Sequence, residues 1–144
     1  MKLTQILLEA TQESEFCKKF ENKSFAEINT NLDNEYTLLG KGDNGYAYKT
    51  PEQTVIKLTR DQEELEISSI VRNTGKTTHF VEVYNVCNLG EFGVVEKQYA
   101  KVDKGLEATE DFFDAAEEEI GTEIDPDTKG NLGYVNGVLK FFDW

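Results

Sequence analysis

Three glycines punctuate Leu39-Gly40-Lys41-Gly42-Asp43-Asn44-Gly45-Tyr46-Ala47. Phosphate oxygens are held by backbone N–H groups at close range, and a residue without a Cβ lets the main chain come that near. Further along, Val55-Ile56-Lys57 supplies a point cation for phosphates. Such a cation has to be fixed, and a carboxylate on the next helix commonly fixes it. Glu66 is the candidate for that role, with Glu63 one turn earlier as the fallback. Asn131 and Asp143 stand on either side of Asn136-Gly137. A tight hairpin folds its two ends together, and an amide oxygen, a carboxylate, phosphates and water are donors suited to Mg2+.

These residues need elements to position them. Tyr36 to Leu39 reads as a strand entering the glycine turn, and Tyr46-Ala47-Tyr48 as a strand leaving it. Thr54 to Leu58 is β-branched and apolar, a third strand. Thr59 and Gln62 have capping-box spacing, Asp61 suits a helix N-terminus, and Asn73-Thr74-Gly75 supplies a stop. His79 to Cys87 alternates as a strand, turns at Asn88 to Glu91 and returns from Phe92 to Glu96. The first hundred residues therefore predict a five-stranded antiparallel sheet plus one helix. Glu107 to Ile120 predicts a second helix, with Leu106, Phe113, Ala116 and Ile120 as its apolar stripe and Gly121 to end it. Asn136-Gly137 between apolar segments predicts a β-hairpin. Residues 1–21 predict a helix on the 3.6-residue spacing of Leu3, Ile6, Leu7, Ala10, Cys17 and Phe20. Asn22 to Asn34 is polar and reads as a connector.

The chain of 144 residues is about one domain. No apolar run approaches the roughly 18 residues of a membrane helix, so no membrane role is expected. Fifteen basic residues against 28 acidic ones give a net charge of −13, which repels nucleic acid. The acids concentrate between Glu107 and Asp127, where no Lys or Arg interrupts them. That segment would suit a protein partner with a basic surface, or the imitation of nucleic acid. Cys17 and Cys87 are far apart in sequence and are expected as reduced thiols. His79 is the single histidine, so a His/Cys metal site is not expected.

Together, the glycine loop, the lysine strand, Glu66-Ile67-Ser68-Ser69-Ile70, Gly130-Asn131-Leu132-Gly133 and Phe142-Asp143-Trp144 resemble the eukaryotic-type protein kinase and aminoglycoside phosphotransferase superfamily, in a reduced bacteriophage-type form. The resemblance runs from about Tyr36 to Trp144. It implies an α+β fold: a kinase-like N-lobe of five antiparallel strands and one helix, with a severely truncated helical C-lobe ending in a β-hairpin. It implies binding of ATP with Mg2+. Gly40, Gly42, Gly45, Ala47, Lys57 and Glu66 would hold the nucleotide, with Glu96 in a hinge at Val95-Glu96-Lys97-Gln98-Tyr99, and Asn131 and Asp143 would hold the metal. Asp125 or Asp127 would accept the proton of an attacking hydroxyl on a protein or small molecule. The family places its Asn five residues after that Asp, whereas Asp125 precedes Asn131 by six and Asp127 by four. The chain also stops at Trp144, before any activation segment or helical substrate platform. A catalytically inactive module that binds a host protein is therefore the alternative.

Met1 to Ala10 resembles the short capsid-targeting leaders of certain tailed bacteriophages, which are cut after Leu/Ile-x-Glu, as in Leu7-Leu8-Glu9-Ala10. The expected organisation is a helix and connector over 1–32, containing the leader at 1–9, and a minimal kinase-like domain over 33–144. The expected setting is the virion interior before delivery and then the bacterial host cytoplasm.

Overall fold

The computed structural model describes residues 15–75 and 77–144. The leader and most of the helix expected over 1–21 lie outside the described residues. The fold is α+β. A five-stranded antiparallel sheet takes the order β1-β2-β3-β5-β4, formed by Thr37–Lys41, Gly45–Lys49, Thr54–Thr59, Gly93–Gln98 and Val83–Asn88 respectively. A second sheet of three strands contains β6 (Lys101–Val102), β7 (Leu132–Val135) and β8 (Val138–Phe141). The β7–β8 turn is at Asn136-Gly137, with both residues at positive φ, as that dipeptide predicts.

Strand periodicity sorts the side chains of the large sheet onto two faces. Ile56, Leu58 and Val94 point to one face, where α1 (Phe25–Glu35) lays down Ile28 and Leu32. Val95 points to the other, where α2 (Gln62–Thr74) buries Leu65, Ile67 and Val71. Phe113, Ala116 and Ile120 of α3 (Glu110–Ile120) join the same cluster, as their spacing predicts. Gly121, at φ 74°, ends α3.

The connector expected over 22–34 is a helix instead. Ser24 and Glu27 form a reciprocal capping box, each side chain accepting the other's backbone N–H. Its polar composition hid a two-residue apolar stripe, Ile28 and Leu32, which is all that one exposed-side helix needs. Asp61, not Thr59, caps α2. The strand expected from His79 begins only at Val83; Phe80 instead forms a parallel bridge with Phe141.

The cysteines are also a correction. Cys17 and Cys87 are joined in a disulfide across 70 residues. Folding of the segment around Phe16 and Phe20 against the α1 face of the sheet brings the two thiols together, which linear distance concealed. Among the described residues no helix is long and apolar enough to cross a membrane.

Candidate functional site

Lys57 sits in the middle of β3, on the face covered by α2. The helix begins three residues after the strand, and its cap sets its phase. Asp61 Oδ1 accepts the N–H groups of Glu63 and Glu64. From that start Glu64, Leu65, Ile67, Ser68 and Val71 turn inward, while Glu63 and Glu66 are exposed. Glu64 Oε2 lies 2.7 Å from Lys57 Nζ, and its Oε1 accepts the Thr59 hydroxyl at 3.0 Å. The helix carboxylate beside the lysine is therefore Glu64; neither Glu66 nor Glu63 takes that place. The legible signal was the spacing of Glu64 to Ser68 and Val71, one and two turns on along the buried stripe.

Asp143 reaches Lys57 from the second sheet. Main-chain bonds from Phe141 N–H to His79 O, and from Val81 N–H to Phe141 O, pin the end of β8. Two residues later Asp143 Oδ1 accepts from Lys57 Nζ at 2.9 Å. The Trp144 N–H donates to the same oxygen, and its indole N–H donates to Ser68 Oγ, both at 3.1 Å. The hairpin does bring Asn131 to Asp143, but it is the Asn131 amide nitrogen that faces the Asp143 main-chain oxygen, at 3.4 Å.

A second lysine completes the cluster. Lys97 lies opposite Val55 in the β3–β5 register, diagonal to Lys57 and on the same face. It is only 4% exposed, and its Nζ is 3.7 Å from Asp143 Oδ1 and 4.6 Å from the centre of the Trp144 ring. Sequence reading passed over it because it fell inside an expected hinge. Its alternation with Val95 placed it on the α2 face.

The charges tune one another. Burial pushes the Asp143 carboxyl up, but Lys97 and Lys57 outweigh it and hold it at about 2. Burial alone would lower Lys57; Asp143 and Glu64 reverse that and keep it above its ordinary value. Burial pushes Lys97 down against the pull of Asp143. Burial likewise pushes the Glu64 carboxyl up against the pull of Lys57 and Lys97. The 2.7 Å contact to a firmly protonated lysine keeps that pair ionic.

Above the cluster opens a cleft of about 700 Å3. Gly40, Gly42, Gly45, Ala47, Lys57 and Asp143 all line it. Its lysines are Lys41, Lys57, Lys97, Lys101 and Lys104, against Asp43, Asp61 and Asp143. In a chain of net charge −13, this is a local excess of positive charge. The glycines divide by role. A Cβ on Gly45 would lie 1.8 Å from Leu58 O, so close strand packing excludes a side chain there. Gly40 and Gly42 have open space where a Cβ would be, and neither has positive φ. Neither packing nor backbone conformation requires glycine at those two positions, and their lack of side chains leaves that part of the cleft lining bare.

Three expected residues stand elsewhere. Glu96 faces the α1 side of the sheet, where its carboxylate accepts from Thr54 Oγ1 at 3.2 Å and Asn85 Nδ2 at 2.8 Å. Asp125 caps the 3-10 turn Pro126–Gly130 by accepting the Asp127 N–H, and both aspartates are exposed outside the cleft. The donors beside Asp143 also differ from those a resident Mg2+ requires. Its Oδ1 already meets two ammonium groups and an N–H, and Asn131 presents its amide nitrogen. No protein-family model matches the chain, and no curated protein matches it at a significant level.

Proposed function

We propose that the cleft binds the phosphates of a nucleoside triphosphate, ATP in the first instance, and that the chain is a minimal kinase-like nucleotide-binding module. The observation that carries this reading is the Lys57 ammonium, held between Glu64 and Asp143 under a bare glycine loop. A lysine on the third strand, a carboxylate on the helix after it and an aspartate from a distant segment are the parts of a kinase phosphate site. The sheet order, with α2 between β3 and β4, also supports it. In this role Lys57 bonds phosphate oxygens, Glu64 orients it, and the glycine loop of residues 40–45 borders the phosphates.

The site is read as binding without phosphate transfer. Catalysis would need a base within hydrogen-bond reach of the attacking hydroxyl, and Asp125 and Asp127 are both outside the cleft. Calorimetric titration with ATP tests the binding, with loss of about tenfold or more in affinity expected for Lys57→Ala. Absence of heat at millimolar ATP in the wild type would contradict it. Incubation with γ-labelled ATP tests the second clause. No transfer is expected, and label that disappears in Asp143→Ala would restore the phosphotransferase reading.

A further inference from the structure

We propose that Lys97 stands in for a divalent cation at Asp143, so that this cleft binds a nucleoside triphosphate without metal. The inference rests on the nucleotide reading above. A metal-dependent phosphate site needs uncompensated negative charge to hold the ion between protein and phosphates. Here two lysines, Lys57 and Lys97, face two carboxylates, Glu64 and Asp143, so the ionised groups would balance with no negative charge left over. Lys97 is the member that makes the difference: without it the cluster would carry one net negative charge.

The position of Lys97 is built, not incidental. Its strand register places it on the cleft face, its ammonium is covered by the Trp144 ring, and Trp144 is itself fixed by Ser68. Asp143 is the carboxylate that an approaching dication would use, and that dication would meet two ammonium charges beside it. A phosphate oxygen meets the opposite situation. An ammonium has three donors, so Lys57 can keep Glu64 and Asp143 and add a phosphate, while Lys97, 3.7 Å from Asp143, contributes its charge at the cleft wall. Lys41, Lys101 and Lys104 at the rim extend the same preference for an anion. Free ATP, which carries more negative charge than its magnesium complex, is the better fit.

The test is calorimetric titration of the whole chain with ATP, once in excess EDTA and once in excess MgCl2. The wild type is expected to bind in EDTA with an affinity within about threefold of, or tighter than, that in Mg2+. Lys97→Met is expected to lose at least about tenfold in EDTA and to become Mg2+-dependent. Binding of the wild type only in the presence of Mg2+ would overturn this inference and leave the nucleotide reading standing. Absence of binding in both buffers would overturn both. If Lys97→Met does not fold, the wild-type pair of titrations still decides, and Lys97→Arg, which keeps the cation, is expected to retain binding in EDTA.

Discussion

At the scale of single residues, the cluster turns on which glutamate meets Lys57. Glu64 is 4% exposed and paired, whereas Glu66 faces solvent. Breaking a buried ion pair from one side costs about 3 kcal/mol or more. Exposed substitutions stay within about 0.5 kcal/mol. Urea denaturation should therefore separate Glu64→Gln, strongly destabilised, from Glu66→Gln, near wild type. Equal effects would remove Glu64 from the cluster. Asp143 gives a pH signature. Its carboxyl is held at about 2 in the folded chain, against about 3.9 when unfolded. The stability it adds is complete above the unfolded value and is lost as pH falls through the folded one. The stability gap between wild type and Asp143→Asn should shrink as pH drops from about 5 to about 2. A gap independent of pH in that window would deny the depressed carboxyl. Lys57 and Asp143 were legible as candidates because Lys57 lies within a recognisable strand and Asp143 just past a recognisable hairpin. Glu64 and Lys97 were not, because a shift of two positions along α2, or of one along β5, changes the face without changing the motif.

At the scale of elements, the strands were the legible part. The glycine turn marked β2, β-branched apolar content marked β3, the return from Phe92 marked β5, and Asn136-Gly137 marked the β7–β8 hairpin. The helix α1 was hidden because its stripe is only Ile28 and Leu32 amid polar residues, and β6 because two residues carry no period. The glycine loop yields a prediction that separates folding from binding. Gly45→Ala forces a Cβ against Leu58 O and should lower the melting temperature markedly. Gly42→Ala meets open space, so it should melt near wild type while weakening ATP. A Gly42→Ala variant with unchanged nucleotide affinity would mean that the loop does not close on phosphate.

At the scale of the whole molecule, two features are global. The charge is segregated: a net −13 chain gathers five lysines at one cleft and spreads its acids over α3 and the flanking loops. Composition gave the excess, but not its separation from the cleft, which depends on tertiary approach. Part of the acidic segment is structural as well: Glu119 bonds His79 Nδ1 at 2.5 Å and Glu117 accepts the Ile124 N–H at 2.8 Å. The second feature is the Cys17–Cys87 bond, which two lone cysteines 70 residues apart could not announce. It ties the segment before α1 to β4, and such a bond persists in oxidising surroundings. Closing a loop of that length stabilises by roughly 4 kcal/mol in the chain-entropy view. Reduction, or Cys87→Ser, should lower the denaturation midpoint without abolishing the cleft; an unchanged midpoint would mean that the thiols are not joined in solution.

The central claim is that strand β3, helix α2 and the end of β8 converge to hold a triphosphate, and thermal melting in the presence of ATP tests it most directly. A ligand at about 100 times its dissociation constant stabilises by about 2.7 kcal/mol. For a chain of this length that is a rise of roughly 5–10 °C. The rise is expected for wild type and for Glu66→Gln, and should vanish in Lys57→Ala. A wild-type melting temperature that does not move at millimolar ATP, with or without Mg2+, would contradict it.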